Sequence, residues 1–475
     1  MTTLRCGFVV IILCAAAARA SAQNASTRCS FTSERASTDS TAGLGQVGFL
    51  GGNVVIRCPA RGILLRGDSA ERRPDGEHMI GHAIYDEPRF HVTADYLNYF
   101  PDSETVKAVG SVKARLPNGS TLVGPIAEYR RPVPRVRPHQ QMLAIARPTI
   151  NIVQKDSTKK TTDTTVVVAN QVFMDGDSLI YAGGQVVITR PDIAATSDSA
   201  FIDQRHDIMH LITRPTLRGN KGRSFSLAGG LIDLYSRNHT LQRVIARADA
   251  VALTDSMTLK ADTIDLRVRN DVLDHAYAWG SKDRARVVSA TQNVLADSLD
   301  VVMPGQKIQL VRALRKAFAQ SKPDTTRFRV EGADSTDWLR GDTIVAHFDS
   351  LPAHDTAKTP PITLLVASGH ASSLYHIAAS DSAEKRPAIN YVDARTIIVH
   401  FDKERVSTVT AVDSVHGIYI EPKPDSTTKR AKPVANPVAN PVAKPVAKPV
   451  ATPGRTPVPA KKPLPPAAAL PPKRP

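Results

Sequence analysis

A two-strand phrase recurs along most of this chain, and a unit of that size cannot bury an apolar face by itself. From Thr93 the sequence reads TADYLNYF and then VKAVGSV, and from Val123 it reads VGPIAEYRR and then LAIARPTI. The phrase returns as DSLIYAGGQVVI at Asp177, TSDSAFID at Thr196, LAGGLIDLY at Leu227, KADTIDLRV at Lys260 and LADSLDVVM at Leu295, with degenerate copies at Arg340 and Asp393. An acidic or equivalent position marks each copy: Asp68, Asp95, Glu128, Asp177, Asp198, Gly230, Asp262, Asp297, Asp342 and Arg395. Four of the intervals are 27, 33, 32 and 32 residues, and others are shorter or carry insertions.

Within each copy apolar residues alternate with period two, as at Leu97 and Tyr99 or Ile344, Ala346 and Phe348. Alternation over four to eight residues, bounded by Asp, Asn, Gly and Pro, marks half-buried strands. One segment, Gln309–Gln320, reads equally as a short helix or as another strand of the repeat. Successive units must stack and share one core, so the expected fold is all-β: an elongated open β-jellyroll of stacked two-strand repeats over residues 54–420. Its core must be aliphatic, since only 5% of residues are aromatic against 42% hydrophobic. The Gly183-Gly184 and Gly229-Gly230 pairs fit bulges or tight turns. The recurring aspartates fit acceptors of backbone N–H bonds at strand entry.

Both ends differ in composition from this body. Residues 1–22 hold Arg5, an apolar run from Phe8 to Ala18 and Ala20-Ser21-Ala22, the pattern of a secretory signal peptide cleaved before Gln23. Bulky Leu13 before Cys14 disfavours a lipidation site. Once the leader leaves, Cys29 and Cys58 remain, an even pair fitting a disulfide in an oxidising compartment. Residues 23–53 read as a flexible segment, Ser/Thr-rich up to Gln46. Residues 421–475 repeat PVAN, PVAK and PVAT, a composition that favours disordered polyproline II and reaches on the order of 150 Å if fully extended. That tail carries 11 Lys and Arg against two acids, so little of the formal +16 falls on the body, and nucleic-acid binding is not indicated. Polar or Pro-containing loops are expected at Gln154–Thr165, Pro352–Pro361 and Ser380–Pro387.

The paired phrases, an A-D-x-h-x-h strand followed by h-x-A-x-G-x-V or h-x-x-R-P-T-h, resemble the organic-solvent-tolerance family, which includes a periplasmic lipopolysaccharide-transport bridge protein. The resemblance implies a twisted jellyroll whose apolar groove holds acyl chains while the sugar headgroup stays in water. It also implies end-to-end stacking with other jellyroll transport subunits by edge-strand pairing, and leaves self-association open. It places the protein in the periplasm, in association with the outer membrane. The longer outer-membrane member continues into a barrel, whereas here the Pro-rich tail follows.

On this reading Leu97, Tyr99, Leu179, Tyr181, Ile202, Ile232, Leu234, Ile264, Leu266, Leu299 and Val301 face one lumen and line a lipid-binding groove. Each buried methylene of an acyl chain would contribute about 0.8 kcal/mol. The alternative is a closed core in which the same residues pack on each other, as in a structural β-solenoid or surface filament without ligand. Arg130, Arg131, Arg135 and Arg137 are candidates for headgroup phosphate. No catalytic residue, cofactor or metal is expected. The pairs His78/His82 and His206/His210 lack the H-E-x-x-H glutamate, and aspartates repeated in every unit do not form the paired carboxylates of a glycan hydrolase.

Overall fold

A computed structural model describes residues 29–41, 45–155, 162–220, 225–238, 240–254, 257–280, 283–289, 292–323, 336–349, 360–377, 379, 386–402 and 405–422. The expected leader and the tail beyond 422 therefore lie outside the described residues, as do most of the expected loops Pro352–Pro361 and Ser380–Pro387 and half of Gln154–Thr165, whose two ends belong to the strands Thr149–Lys155 and Thr162–Val168. The described chain forms 30 strands, two 3-10 turns and no α-helix. It is an all-β jellyroll in which antiparallel strands follow one another in a single continuous ladder.

The strand Phe90–Phe100 shows how each layer is made. Its first half pairs with Ala83–Glu87 and Lys113–Arg115, its second with Glu77–Ile80 and Thr105–Val109. Register shifts at the midpoint of both pairings mark a bend. One half of each strand thus belongs to a first arm and the other half to a second. Where the bend is sharper the halves are separate strands, as with Gln141–Ile145 and Thr149–Lys155, both paired with Thr121–Arg130. Among the described residues no strand crosses between the arms on the side away from the bends, which leaves a seam there.

The bend has a backbone signature. At ten of the bends among the described residues two successive residues adopt positive φ, as at Gly81-His82, Gly110-Ser111, Ala248-Asp249 and Gly369-His370. Each such pair adds a residue relative to its neighbour and turns the strand. The facing residue on the adjacent strand is commonly acidic: Asp68 faces Gly81, Asp95 faces Gly110 and Asp342 faces Gly369, each within contact range of an added Cβ. His82 Nδ1 lies 2.8 Å from Asp68, Ser111 Oγ donates to Asp95 at 3.1 Å, and Arg214 donates to Asp198 through two nitrogens. Asp68 also holds the His82 imidazole above its usual pKa.

The recurring aspartates therefore stand at the corner in mid-strand, not at strand entry. Two of the expected markers are misplaced. Glu128 lies inside a straight half, opposite Lys107 and Leu143, and the corner of that strand is at Gly124-Pro125. Asp177 lies in a hairpin, and the residue facing Gly184 is Asn170. The register shift at Gly183–Val186 and the corner at Gly229-Gly230 match the expected bulges. Gln309–Gln320 resolves as strand, Leu310–Ser321, with its bend at Arg315-Lys316.

Jellyroll layers begin earlier than residue 54. Within the expected flexible segment, Ser30–Thr32 and Arg35–Thr41 pair with the two halves of Gly45–Cys58. From Ser30 to Ser40 the strand side chains are exposed and, apart from Phe31 and Ala36, polar, with no alternation, so composition alone reads them as unstructured. A disulfide joins Cys29 to Cys58 and ties this terminal layer to the next.

Inward residues of both arms merge into one aliphatic core running from Leu50 to Val399. In it, Ser373 Oγ is buried without a hydrogen-bond partner. The close approach at the corner has a direct consequence. Gly110 and Gly119 both have positive φ, but a Cβ at Gly110 meets Asp95 whereas at Gly119 it meets nothing within 4 Å. Both alanine variants lose about 1 kcal/mol to left-handed strain, and Gly110→Ala loses more, part of which Asp95→Ala restores. Urea unfolding of the three chains checks this; equal midpoints for the two single variants would contradict it.

Candidate functional site

The inner face is largely where the alternation places it. Leu97, Tyr99, Ile202, Ile232, Leu234, Ile264, Leu266, Leu299 and Val301 all point between the arms with 5% exposure or less. Leu179 and Tyr181 do not. Pairing of Ile180 with Ile202 and of Ala182 with Ala200 sends Ile180 and Ala182 inward, leaving Tyr181 43% exposed outside. There Tyr181 lies between Phe173 and Phe201, with ring centroids 6.0 and 4.9 Å away. The parity was ambiguous because Val186, Val187 and Ile188 offer aliphatic residues to both faces.

Side chains fill the space between the arms. Two cavities lie along the seam, of about 20 and about 10 Å³, room for roughly one water molecule each. The larger is bordered by Ile152 and Thr165 from the first arm and by Ile202, Asp203 and Met209 from the second. Neither of these cavities has room for an acyl chain unless the arms separate.

Over the N-terminal layers the seam is bridged by polar groups from both arms. Arg61 lies in the Pro59–Arg61 turn and Glu87 at the end of Gly76–Glu87, both on the first arm. Glu104 and Arg131 follow second-arm half-strands. Arg131 donates to Glu87 at 2.8 Å, to Glu104 at 2.7 Å and to the Arg61 carbonyl at 2.9 Å. Tyr129 donates to Glu87 at 2.5 Å, and Arg61 donates to the Tyr99 hydroxyl at 2.8 Å. Behind these groups Phe90 stacks on Tyr129 across the seam at 3.8 Å, and Tyr85 packs against Tyr99 and Tyr129. A second bridge joins Arg89 and Asn118 of the first arm to Asp177 of the second, at 3.4 and 3.2 Å.

Burial pushes the Tyr85, Tyr129 and Tyr99 phenols above their usual range, reinforced by the Glu87 or Glu104 carboxylates. They stay protonated and available as donors. Burial alone disfavours charge on Arg131, but the Glu104 hydrogen bond and the nearby Tyr85 and Glu87 outweigh it and hold the guanidinium above its ordinary value.

The four arginines expected to meet phosphate do not converge on the lumen. Arg131 is engaged by two carboxylates, and Arg130 pairs with Glu128 at 2.6 Å on the strand surface. Arg135 is exposed on a left-handed turn, and Arg137 donates to the Arg131 and Ser103 carbonyls. The paired histidines go separate ways. His78 meets Asp75 and His82 meets Asp68, while His206 meets Asp203 and His210 meets Asp233. Among the described residues no group of three His, Cys, Asp or Glu side chains is placed to hold a metal, and no helix is long and apolar enough to cross a membrane.

Among the described residues the C-terminal layer, Arg405–Val412 and His416–Ile420, pairs on one side only, with Ala388–Asp402. Val412, Ile418, Tyr419 and Ile420 on it are 40–58% exposed. No protein-family model matches this chain, and no curated protein matches it either.

The seam network predicts a contrast between neighbouring arginines. Arg131→Met removes one member of a half-buried charge network and is expected to cost about 2–4 kcal/mol. Arg130→Met breaks an exposed pair and is expected to cost under about 1 kcal/mol. Chemical denaturation of both variants measures the difference, and equal small losses would show that the seam links contribute nothing.

Proposed function

We propose that this protein is a non-enzymatic carrier of an amphiphile, lipopolysaccharide or a similar acylated glycolipid, and a component of a β-jellyroll bridge toward the outer membrane. The observation that carries this reading is the continuous aliphatic interior of a two-armed jellyroll whose arms meet at a seam that no strand crosses. A bent antiparallel sheet of this kind can admit an acyl chain sideways while a headgroup remains in water. Apolar burial along Leu97, Ile264 and Leu299 provides the attraction, and polar groups line the rim. The disulfide between Cys29 and Cys58 suits an oxidising compartment such as the periplasm. Edges of the terminal layers that pair with no other described strand suit strand addition by neighbouring jellyroll subunits. The resemblance of the repeat to the organic-solvent-tolerance family points the same way.

A second reading, a structural solenoid with a dry core, is favoured by one observation: the seam cavities hold about a water molecule each. The two readings separate on whether the arms part. Protein purified from the cell envelope and extracted with chloroform and methanol is expected to yield near-stoichiometric acylated glycolipid by mass spectrometry. Lipid-free protein that also fails to bind added lipopolysaccharide would leave the solenoid.

A further inference from the structure

We propose that the Arg131 cluster is a lock on the seam, which holds the arms together over the N-terminal layers and parts to admit an anionic amphiphile. This rests on the carrier reading above and names the step that reading requires.

Three features support it. First, the links run between arms. Arg61 and Glu87 from the first arm meet Tyr99, Glu104, Tyr129 and Arg131 from the second, over strands far apart in sequence. Second, the cluster is polar where the interior behind it is apolar. A hydrogen bond exchanged for water or for a ligand oxygen changes free energy little, whereas a packed apolar joint does not reopen so readily. A seam that must separate is therefore better joined by polar groups than by leucines. Third, the charges balance within the cluster, two guanidiniums against two carboxylates, while Arg61 and Arg131 remain 37% and 19% exposed at the rim. When the arms part, both guanidiniums become free to pair with a phosphate headgroup, and bidentate geometry suits that exchange. The aromatic rings behind the lock, Phe90 on Tyr129 and Tyr85 on Tyr99, separate in the same movement and become accessible to the chain.

The test uses the full chain without its leader, with Glu87→Gln combined with Glu104→Gln, which keeps shape and hydrogen-bonding capacity but unloads the arginine. Tyr129→Phe removes one link without touching a charge and serves where the double variant does not fold. Arg130→Met is the control. In the absence of ligand, amide exchange at Ile84–Glu87 and Ala127–Arg130 is expected to quicken about tenfold relative to the unaltered protein, with Ile264–Leu266 unchanged. A fluorescent alkyl phosphate is then expected to enter several-fold faster, and its trimethylammonium counterpart is not. Unchanged exchange at the seam overturns the lock whatever the probe does. Faster exchange with unaltered uptake, in protein that does bind the alkyl phosphate, overturns it as the entry route. Failure of every form to bind either probe overturns the carrier reading itself.

Discussion

Two successive left-handed residues at the bends of ten described layers are the event on which this fold depends. Right-handed sterics make such a pair costly for most side chains, and several of them, such as Thr213-Arg214 and Ala248-Asp249, contain no glycine. The cost is tolerated because the neighbouring strands hold the bend, through corner backbone bonds such as Asp198 N–H to the Thr213 carbonyl and Arg395 N–H to the Asp413 carbonyl. Without the bend each strand would continue straight, the ladder would form a single sheet, and one of its faces would expose the leucines and isoleucines now enclosed. The bend turns that one sheet into two arms facing each other.

From that follow both the core and the seam. Each arm contributes alternate residues to the interior, and because the chain is poor in aromatics the filling is mostly Val, Ile, Leu and Ala. Four of the few large rings gather at the N-terminal seam, where Tyr85, Phe90, Tyr99 and Tyr129 pack across the arms and the three tyrosine hydroxyls meet Glu87, Glu104 and Arg61. The same tyrosines are thus apolar toward the core and polar toward the rim, the two properties a closing edge needs. Cys58 ends the half-strand that leads into the Pro59–Arg61 turn, so the disulfide to Cys29 anchors the layer that supplies Arg61.

Much of this was legible in the sequence where a residue type repeats with the fold. The alternation at Leu97 and Tyr99 or Ile264 and Leu266 gave the inward face, and Asp68, Asp95, Asp262 and Asp342 marked the layers. Legibility failed where the fold keeps a position but changes the residue: Gly124-Pro125 and Asn170 occupy corners, and Glu128 and Asp177 drew the eye in their place. It failed at Tyr181 because both faces of that strand offer apolar residues. Exposed strands such as Arg35–Thr41 are paired in the ladder but show no alternation of buried and exposed side chains. The seam network was illegible for another reason, since Arg131 and its Arg61 partner stand 70 residues apart and meet only once the arms are closed.

The claim that the space between the arms is a lipid path is tested most directly by where an acyl chain goes. A lipopolysaccharide analogue carrying a diazirine near the end of one chain, bound and irradiated, is expected to label inward residues such as Leu97, Ile264 and Leu266. Labelling confined to the outer face around Tyr181 and Phe201, or to the terminal strand at Ile418–Ile420, would contradict the account.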